Sequence, residues 1–280
     1  MIEGKKKSKK RKLKPRPQYC FDGKARKGCK SQETGREEID VTIFCPETKQ
    51  VLDKRTLGDK EGERSAVVEI IGKIGAEIPQ GFVSADAGIV SPQVTKSIID
   101  KGHGYILQIK GNSGIAFEEA EHLPWHRVVV ANEERSHGHG RDELRRVKAL
   151  VAEFTDLTEF EKYADIGVVL QVERVSRVTK TGKTTNEMSY YIGDETFAAL
   201  DLEMQARYIR DHWGQESYHW IKDKVMQEDD SMQRQPNGSR ALATFRSLVA
   251  KFGRKVCDSP SRFIYMFSAN PEKAVLCLQL

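Results

Sequence analysis

Apolar and polar residues alternate along this chain in patterns that predict an α/β protein. Alternation with a period of two predicts strands, and apolar residues that recur every three to four positions predict helices. The predicted strands are 19–21, 40–44, 50–57, 81–85, 105–109, 127–130, 166–175 and 188–192. The predicted helices are 63–74, 92–100, 115–120, 195–225 and 240–252.

The order of these elements predicts a mixed β-sheet covered by helices, because strands alternate with helices and hairpins interrupt the alternation. Residues 46–49 and 179–183 are the expected hairpin turns, and the long helix should break near residues 213–214. Residues 131–142 are rich in polar residues and glycine, which predicts a loop. Residues 143–153 fit a helix and a strand equally well, since their periodicity favours neither.

The charge of the chain is concentrated at its start. The 280 residues carry a net charge of +5, but nine Lys or Arg and one Glu give residues 1–17 a charge of +8, so the remainder carries −3. We expect three parts: a disordered basic arm (1–17), a folded domain (18–255) and a tail (256–280). The arm suits binding to DNA phosphates, and it equally suits a solvated segment with no function.

The five cysteines are scattered, without a C-x-x-C pair or histidines at zinc spacing: Cys20, Cys29, Cys45, Cys257 and Cys277. This pattern fits a reducing compartment and argues against a zinc site. No stretch reaches the roughly 18 apolar residues of a membrane span, and the charged start lacks the apolar core of a secretory signal. The sequence therefore predicts a cytoplasmic protein without a membrane partner.

Three acidic residues stand in separate local contexts that suggest a shared site. Asp22 lies in Tyr-Cys-Phe-Asp-Gly-Lys, Asp86 ends the apolar run Gly-Phe-Val-Ser-Ala-Asp, and Glu216 lies in His-Trp-Gly-Gln-Glu-Ser-Tyr-His-Trp. Two carboxylates at strand ends and one on a helix can converge on hard divalent cations, which prefer oxygen ligands. Two such ions roughly 3.5–4 Å apart can clamp the attacking and leaving oxygens of a phosphodiester. The pattern predicts a nuclease or strand-transfer site.

Several short segments between residues 18 and 250 resemble a known family when taken in order. They are Asp22-Gly23-Lys24 with Arg26, Asp86-Ala87, Gly104-Tyr105-Ile106-Leu107 with Lys110-Gly111-Asn112, His139-Gly140-Arg141 with Glu143 and Arg145, and Arg210-Asp211-His212-Trp213 through Glu216, His219-Trp220 and Asp223 to Glu228-Asp229. The ordered set resembles the DDE-type insertion-sequence transposases, specifically the group that includes the H-repeat-associated proteins. The His-Trp…Glu…His-Trp…Asp…Glu-Asp block is the most specific part.

The resemblance implies an RNase H-like mixed β-sheet flanked by helices, with a β-hairpin insertion. It also implies Mg²⁺- or Mn²⁺-dependent cleavage and strand transfer of DNA at insertion-sequence ends, with two ions as the cofactor. Asp22, Asp86 and Glu216 are then the catalytic metal ligands. Asp223 is an alternative ligand or a supporting contact, and His219 is a supporting contact. The implied partners are transposon-end and target DNA and a second copy of the chain, at the nucleoid of a bacterium.

Each acidic residue also has an ordinary structural explanation. An Asp before Gly often forms a turn, which applies to Asp22, and Asp86 could cap a following helical turn. On a helix, one face would gather His212, Glu216, His219 and Asp223. Such a face is costly to bury unless it is paired or metal-bound, and it is otherwise a solvated charged surface.

Six side chains are predicted to contact DNA: Lys24, Arg26, Lys110, His139, Arg141 and Arg210. Lys24 and Arg26 could instead offset the charge of Asp22, and Lys110 could be a turn lysine. Arg141 suits bidentate phosphate binding, but an Arg–Glu pair in a structural loop explains it equally well.

The chain also departs from the family pattern. A lysine-rich leader stands where the family carries many tens of residues, and the segment between Glu216 and the second His-Trp is one residue shorter. One deletion rotates the rest of a helix by about 100°, so Asp223 should face differently unless a bulge or kink absorbs the change. Residues 256–280 do not resemble the family's tail. The sequence therefore leaves open a truncated or inactive copy, a non-catalytic DNA-binding remnant and a metal-dependent nuclease of the same fold.

Overall fold

The computed structural model describes residues 15–30, 35–58, 61–138, 140–151, 159–231, 235–257, 259–272 and 275. Disorder is predicted for the basic arm, residues 1–17. Of these, only residues 15–17 belong to the described part, and the others lie outside it. Within the described ranges, no helix combines the length and apolar character that crossing a membrane requires.

One mixed sheet of nine strands organises the described part of the chain, in the order β3-β2-β1-β4-β5-β9-β8-β7-β6. The strands are β1 Gln18–Lys30, β2 Glu37–Cys45, β3 Gln50–Thr56, β4 Phe82–Ala85, β5 Gly104–Ile109, β6 Asn132–Gly138, β7 Arg141–Leu150, β8 Ile166–Val178 and β9 Thr184–Asp194. Strand β4 runs parallel to both β1 and β5, whereas all other neighbouring strands are antiparallel. The sheet is therefore mixed, as the sequence predicts.

Helices cover both faces of this sheet. They are α1 Glu63–Ile74, α2 Pro92–Asp100, α3 Ile115–His122, α4 Glu195–Ala198, α5 Leu202–His212, α6 Gly214–Trp220, α7 Pro236–Val256 and α8 Pro260–Ala269. Successive strand residues point to opposite faces. Tyr19 and Phe21 therefore enter the core under α1, α2 and α3, while Cys20 packs with Tyr218 of α6 and Ala250 of α7. The central strands are thus held between two helical layers.

The pattern-based elements are confirmed where an apolar face is buried. Helices α1 and α2 have the predicted bounds, and Ser91 caps α2 by accepting a hydrogen bond from Val94 N at 3.3 Å. The predicted break in the long helix is also confirmed, because α5 ends at His212 and α6 begins at Gly214. A π-helical turn, Ile221–Val225, follows α6 directly.

Two predictions around residue 130 are wrong. The expected strand at 127–130 is the end of a 3-10 turn, Trp125–Arg127, followed by irregular backbone. The expected loop at 131–142 is mostly a hairpin of β6 and β7. Of the ambiguous segment 143–153, residues 143–150 belong to strand β7. Cross-strand ion pairs hold this hairpin, such as Arg146 with Glu133 at 2.9 Å. It therefore lacks the apolar alternation that reveals a strand in sequence.

Strand β1 is longer than the predicted 19–21 and does not stop at Asp22. It pairs with β2 from Cys20 to Arg26, so Asp22 lies within a strand and not in a turn. The β2 ladder supplies the backbone partners that keep the charged half of β1 extended. The turn explanation for Asp22 is thereby excluded.

The described part of the predicted tail is packed onto the domain. Helix α8 contacts α7, and Phe263 is fully buried there. Gly253 of α7 admits its ring, because a Cβ atom at Gly253 would stand 2.4 Å from the ring carbons. The predicted domain boundary at residue 255 stays a prediction.

Candidate active site

Asp22 and Asp86 lie side by side because of the register of two parallel strands. Phe21 of β1 pairs with Ala85 of β4. Asp22 directly follows Phe21, and Asp86 directly follows Ala85. The parallel pairing of β1 with β4 ends at these two residues, so both aspartates lie at the carboxyl end of that pairing, where α/β sheets collect functional groups. Asp86 also accepts a hydrogen bond from Gly88 N at 2.9 Å, which orders the loop after β4.

Helix α6 brings Glu216 to the same end of the sheet. Tyr218 stacks on Phe44 of β2 with a centroid distance of 5.8 Å. The buried Gln215 amide fits best with its oxygen accepting from Thr42 Oγ1 at 2.9 Å and Asp22 N at 3.3 Å, and its nitrogen donating to Cys20 O at 3.0 Å. The residue before Glu216 thus fastens α6 to the backbone at Asp22.

The charges of the predicted acids act on one another. Burial, together with the charges of Asp86, Glu63 and Glu216, raises the pKa of Asp22 to about 7, although a hydrogen bond from Gly23 N lowers it. Burial and the charge of Asp86 also raise the pKa of Glu63. The three predicted acids therefore share one region with a fourth, Glu63, which the sequence analysis missed.

Two histidines line this region in their neutral form. His219 Nδ1 lies 3.3 Å from Asp22 Oδ2, and burial, followed by the charges of Lys222 and Lys24, lowers its pKa to about 4. His212 Nδ1 lies 3.0 Å from Ser84 Oγ, and burial likewise lowers its pKa to about 4. At neutral pH, neither imidazole adds positive charge, and His219 is suited to donate a hydrogen bond to Asp22.

Asp223 does not share a face with Glu216 in the predicted way. Its carboxylate pairs with Lys24 at 2.7 Å, and the same ammonium lies 3.2 Å from Glu228 and 3.0 Å from Asp229. The break before α6 and the π turn after it change the direction of the helix on both sides of Glu216. Asp223 is therefore part of an ion-pair cluster with β1.

The burial of Lys24 and Arg26 argues against the predicted contact with DNA, and their ion pairs offset the charges of acids other than Asp22. Lys24 is 8% exposed and holds three carboxylates. Arg26 is 3% exposed, pairs with Glu38 and donates to Ser239 at 3.3 Å. Neither cation presents a free surface to a phosphate. The sequence alone could not separate these two roles, because it does not show which strands and helices cover β1.

Other predicted DNA contacts surround a cavity next to Glu216. The cavity has a volume of about 330 Å³ and is lined by Lys110 and Arg210, together with Arg145, Arg174, Tyr191 and Trp213. Arg210 also pairs with Glu134. Arg141 is exposed at the start of β7, away from this cavity lining, and His139 lies outside the described residues.

The Lys-Gly-Asn segment after β5 supports the site through its asparagine. Asn112 donates a hydrogen bond to Ala87 O at 3.1 Å, which ties this segment to the loop that carries Asp86. Lys110 is exposed at the cavity.

The ligand types fit a hard divalent cation. Asp22, Asp86, Glu63 and Glu216 all supply carboxylate oxygens, and Mg²⁺ commonly uses only one or two carboxylates while keeping several waters. In the part of the chain that the structure describes, no three His, Cys, Asp or Glu side chains form a ready-made cage around one ion.

Comparison with known proteins identifies the family of the chain. A family model described as "Transposase DDE domain" matches residues 13–250. "Putative transposase YncI" of Escherichia coli O157:H7 is 27% identical over 252 residues, which cover 85% of this chain and 62% of that protein. "H repeat-associated putative transposase YhhI" of Escherichia coli (strain K12) is 27% identical over 243 residues, which cover 82% of this chain and 62% of that protein.

The chain spans about 62% of the length of these curated relatives. Among solved structures, the cryo-EM structure of the piggyBac transposase synaptic complex with hairpin DNA aligns with a TM-score of 0.48 and 9% identity, covering 90% of this chain and 51% of that chain. Because the family model matches residues 13–250 of 280, the chain belongs to the transposase DDE domain family.

Proposed function

We propose that this chain is a DNA transposase that cleaves and joins DNA strands with divalent metal ions, on an RNase H-like arrangement of β1 to β5. The observation that carries the proposal is the register of β1 and β4, which sets Asp22 beside Asp86, with the charge of Glu216 acting on Asp22. Family membership supports the same function. A random cluster of acids would not combine this strand register with these sequence motifs.

Each side chain of the site has a role that follows from its position. Asp22, Asp86 and Glu216 would hold Mg²⁺ or Mn²⁺, and two such ions would activate the attacking oxygen and stabilise the leaving oxygen of the phosphodiester. His219 keeps the Asp22 carboxylate oriented through the contact at 3.3 Å. Gln215 keeps α6 on β1, so that Glu216 stays at the same end of the sheet. The protein supplies position and charge, without a covalent intermediate.

DNA would approach across the cavity beside Glu216. Lys110, Arg145, Arg174 and Arg210 line it, so a phosphate backbone there would lie between these cations and the acidic residues. Tyr191 and Trp213 add aromatic surface that suits a nucleotide. DNA is therefore the proposed partner, and the exposed Arg141 extends the same role to the β6–β7 hairpin. A homodimer stays a prediction.

The proposal is tested by the variants Asp22→Asn, Asp86→Asn and Glu216→Gln. We expect each to abolish Mg²⁺- or Mn²⁺-dependent nicking of supercoiled plasmid while leaving the circular dichroism spectrum unchanged. Asp100→Asn is the matched control, because Asp100 is exposed and pairs only with Lys96 on its own helix among the described residues. Wild-type nicking by any one of the three variants would remove that residue from the site.

The products of the same reactions separate the alternative functions. Joining of cleaved 3′ ends into a second plasmid supports a transposase, and nicking without joining supports a nuclease of the same fold. Salt-sensitive DNA binding without any metal-dependent nicking supports a non-catalytic DNA-binding remnant.

A further inference from the structure

The half-buried carboxylate of Glu63 lies next to strand β1, which carries Asp22, and to the loop after β4, which carries Asp86. Glu63 begins α1, after Gly62, and its side chain reaches back over the sheet end. A Cβ atom added to Gly23 would stand only 2.1 Å from Glu63 Oε1. One added to Gly88 would stand 3.3 Å from both Glu63 Oε2 and Asp86 Oδ1. Each predicted aspartate is thus followed closely by a glycine whose missing side chain leaves room for Glu63.

These distances limit how far Glu63 lies from Asp86. Both oxygens lie 3.3 Å from the same point, so their separation is at most twice that distance. Two oxygen ligands at about 2.1 Å from one Mg²⁺ stand roughly 3 to 4 Å apart. Rotation about the three side-chain bonds of Glu63 covers the remaining gap.

Among the residues that the structure describes, Glu63 differs from the glutamates near it in having no cationic partner. Glu61 and Glu69 pair with Arg55 at 2.6 and 3.0 Å. No Lys, Arg or His nitrogen among the described residues lies within ion-pair distance of Glu63, although the negative charge of Asp86 acts on it. Two neighbouring carboxylates without a counter-charge are costly unless a cation joins them.

We propose that Glu63 is a fourth acidic residue of the metal site, which binds a divalent cation together with Asp86. This inference rests on the proposed function, since it assumes that Asp86 is a metal ligand. The competing explanation is structural: an acidic residue in the first turn of a helix stabilises the helix dipole. The two explanations predict different unfolding temperatures for the metal-free protein and different affinities for the metal.

The test is calorimetric titration of the metal-stripped full chain with Mn²⁺, together with its thermal unfolding before and after Mn²⁺ is added. For Glu63→Gln, we expect Mn²⁺ affinity to fall by about tenfold or more, or one of two binding steps to disappear. We expect the unfolding temperature without metal to stay the same or rise, since a repulsive charge is removed. Glu69→Gln, on the exposed side of the same helix, should bind Mn²⁺ like the wild type.

A second variant displaces the carboxylate of Glu63 without changing its charge. Gly23→Ala introduces a methyl group where Glu63 Oε1 stands, so it should weaken Mn²⁺ binding in the same direction. Wild-type binding by Glu63→Gln, with a lower unfolding temperature in the absence of metal, would overturn the inference in favour of the helix-dipole role.

Asp86→Asn separates this inference from the proposed function. If Asp86→Asn loses Mn²⁺ binding but Glu63→Gln does not, only the inference fails. If the wild type takes up no Mn²⁺, or if Asp86→Asn binds like the wild type, the proposed metal site fails as well.

Discussion

Replacing Lys24 by methionine should destabilise the protein far more than replacing Lys27, although both lysines pair with Asp229. The Asp229 contacts are nearly equal, at 3.0 Å for Lys24 and 3.1 Å for Lys27. The lysines differ in burial, because their side chains are 8% and 69% exposed. Lys24 also holds Asp223 and Glu228, which would be left facing each other without their shared cation.

Removing one partner of a buried ion pair costs about 3–5 kcal/mol, whereas an exposed pair contributes little because water screens its charges. Lys222 still contacts Glu228 at 3.1 Å, so we expect Lys24→Met to lie near the lower limit, at about 3 kcal/mol. In a domain of this size, that corresponds to a fall of roughly 6–12 °C in unfolding temperature. Lys27→Met should leave the unfolding temperature close to that of the wild type, because solvent screens this exposed pair.

The assay is urea unfolding of both variants as a function of pH. Burial alone would lower the pKa of Lys24, but its three carboxylate partners outweigh burial and raise it, so its contribution is lost only as the pH rises above about 10.5. Burial would raise the pKa of Asp229, but its bonds to Lys24 and Lys27 outweigh burial and lower it, so its contribution is lost as the pH falls below about 3.8.

The difference between Lys24→Met and Lys27→Met should therefore be largest between about pH 5 and 10 and shrink on either side. Equal unfolding free energies for the two variants at pH 7 would refute the reasoning, because burial would then not govern the strength of these pairs.

Three further predictions concern the site. Because burial and neighbouring acids raise the pKa of Asp22 to about 7, Mn²⁺ must displace a proton below that pH, and calorimetry should show its affinity rising about tenfold per pH unit up to pH 7 and then levelling off. A pH-independent affinity would contradict this. The same raised pKa means that the metal-free protein should lose stability as the pH rises from about 4 to 7. Lys110→Ala should reduce the slope of log affinity for duplex DNA against log salt by about one, whereas Lys96→Ala, on the distant α2, should leave the slope unchanged. An equal effect of both substitutions would show that the cavity is not where DNA binds.

The sequence predicted most of the elements that bury an apolar face. Helix α1 and the strands before Asp86 are recognisable because their buried residues recur with a clear period. The β6–β7 hairpin was missed because its exposed, charge-paired strands show no such period. Hydrophobic patterning therefore reports on burial, and it is silent on strands that are held by backbone hydrogen bonds and surface ion pairs.

The candidate site shows a similar division. The motifs pointed to Asp22, Asp86 and Glu216, and the strand register and α6 bring their charges together. No sequence motif marks Glu63, because its place at the site depends on how α1 packs over the sheet. The glycines at 23 and 88 were the available signal, because a glycine beside an acidic residue can mark a close approach by another chain segment. Lys24 pairs with Asp223, which lies in the π turn. Local patterning does not predict such a turn, so the ion pair could not be foreseen.

The distance along the chain between the two strands and α6 has a consequence for protein synthesis. Asp86 and Glu216 are separated by 130 positions, and ribosomes add about 5–20 residues per second, so roughly 6–26 s pass between them. A nascent polypeptide can pair β1 with β4 early, but it lacks Glu216 throughout that interval. Under the proposed function, the growing chain is harmless to nearby DNA until translation has passed α6 and that helix has docked.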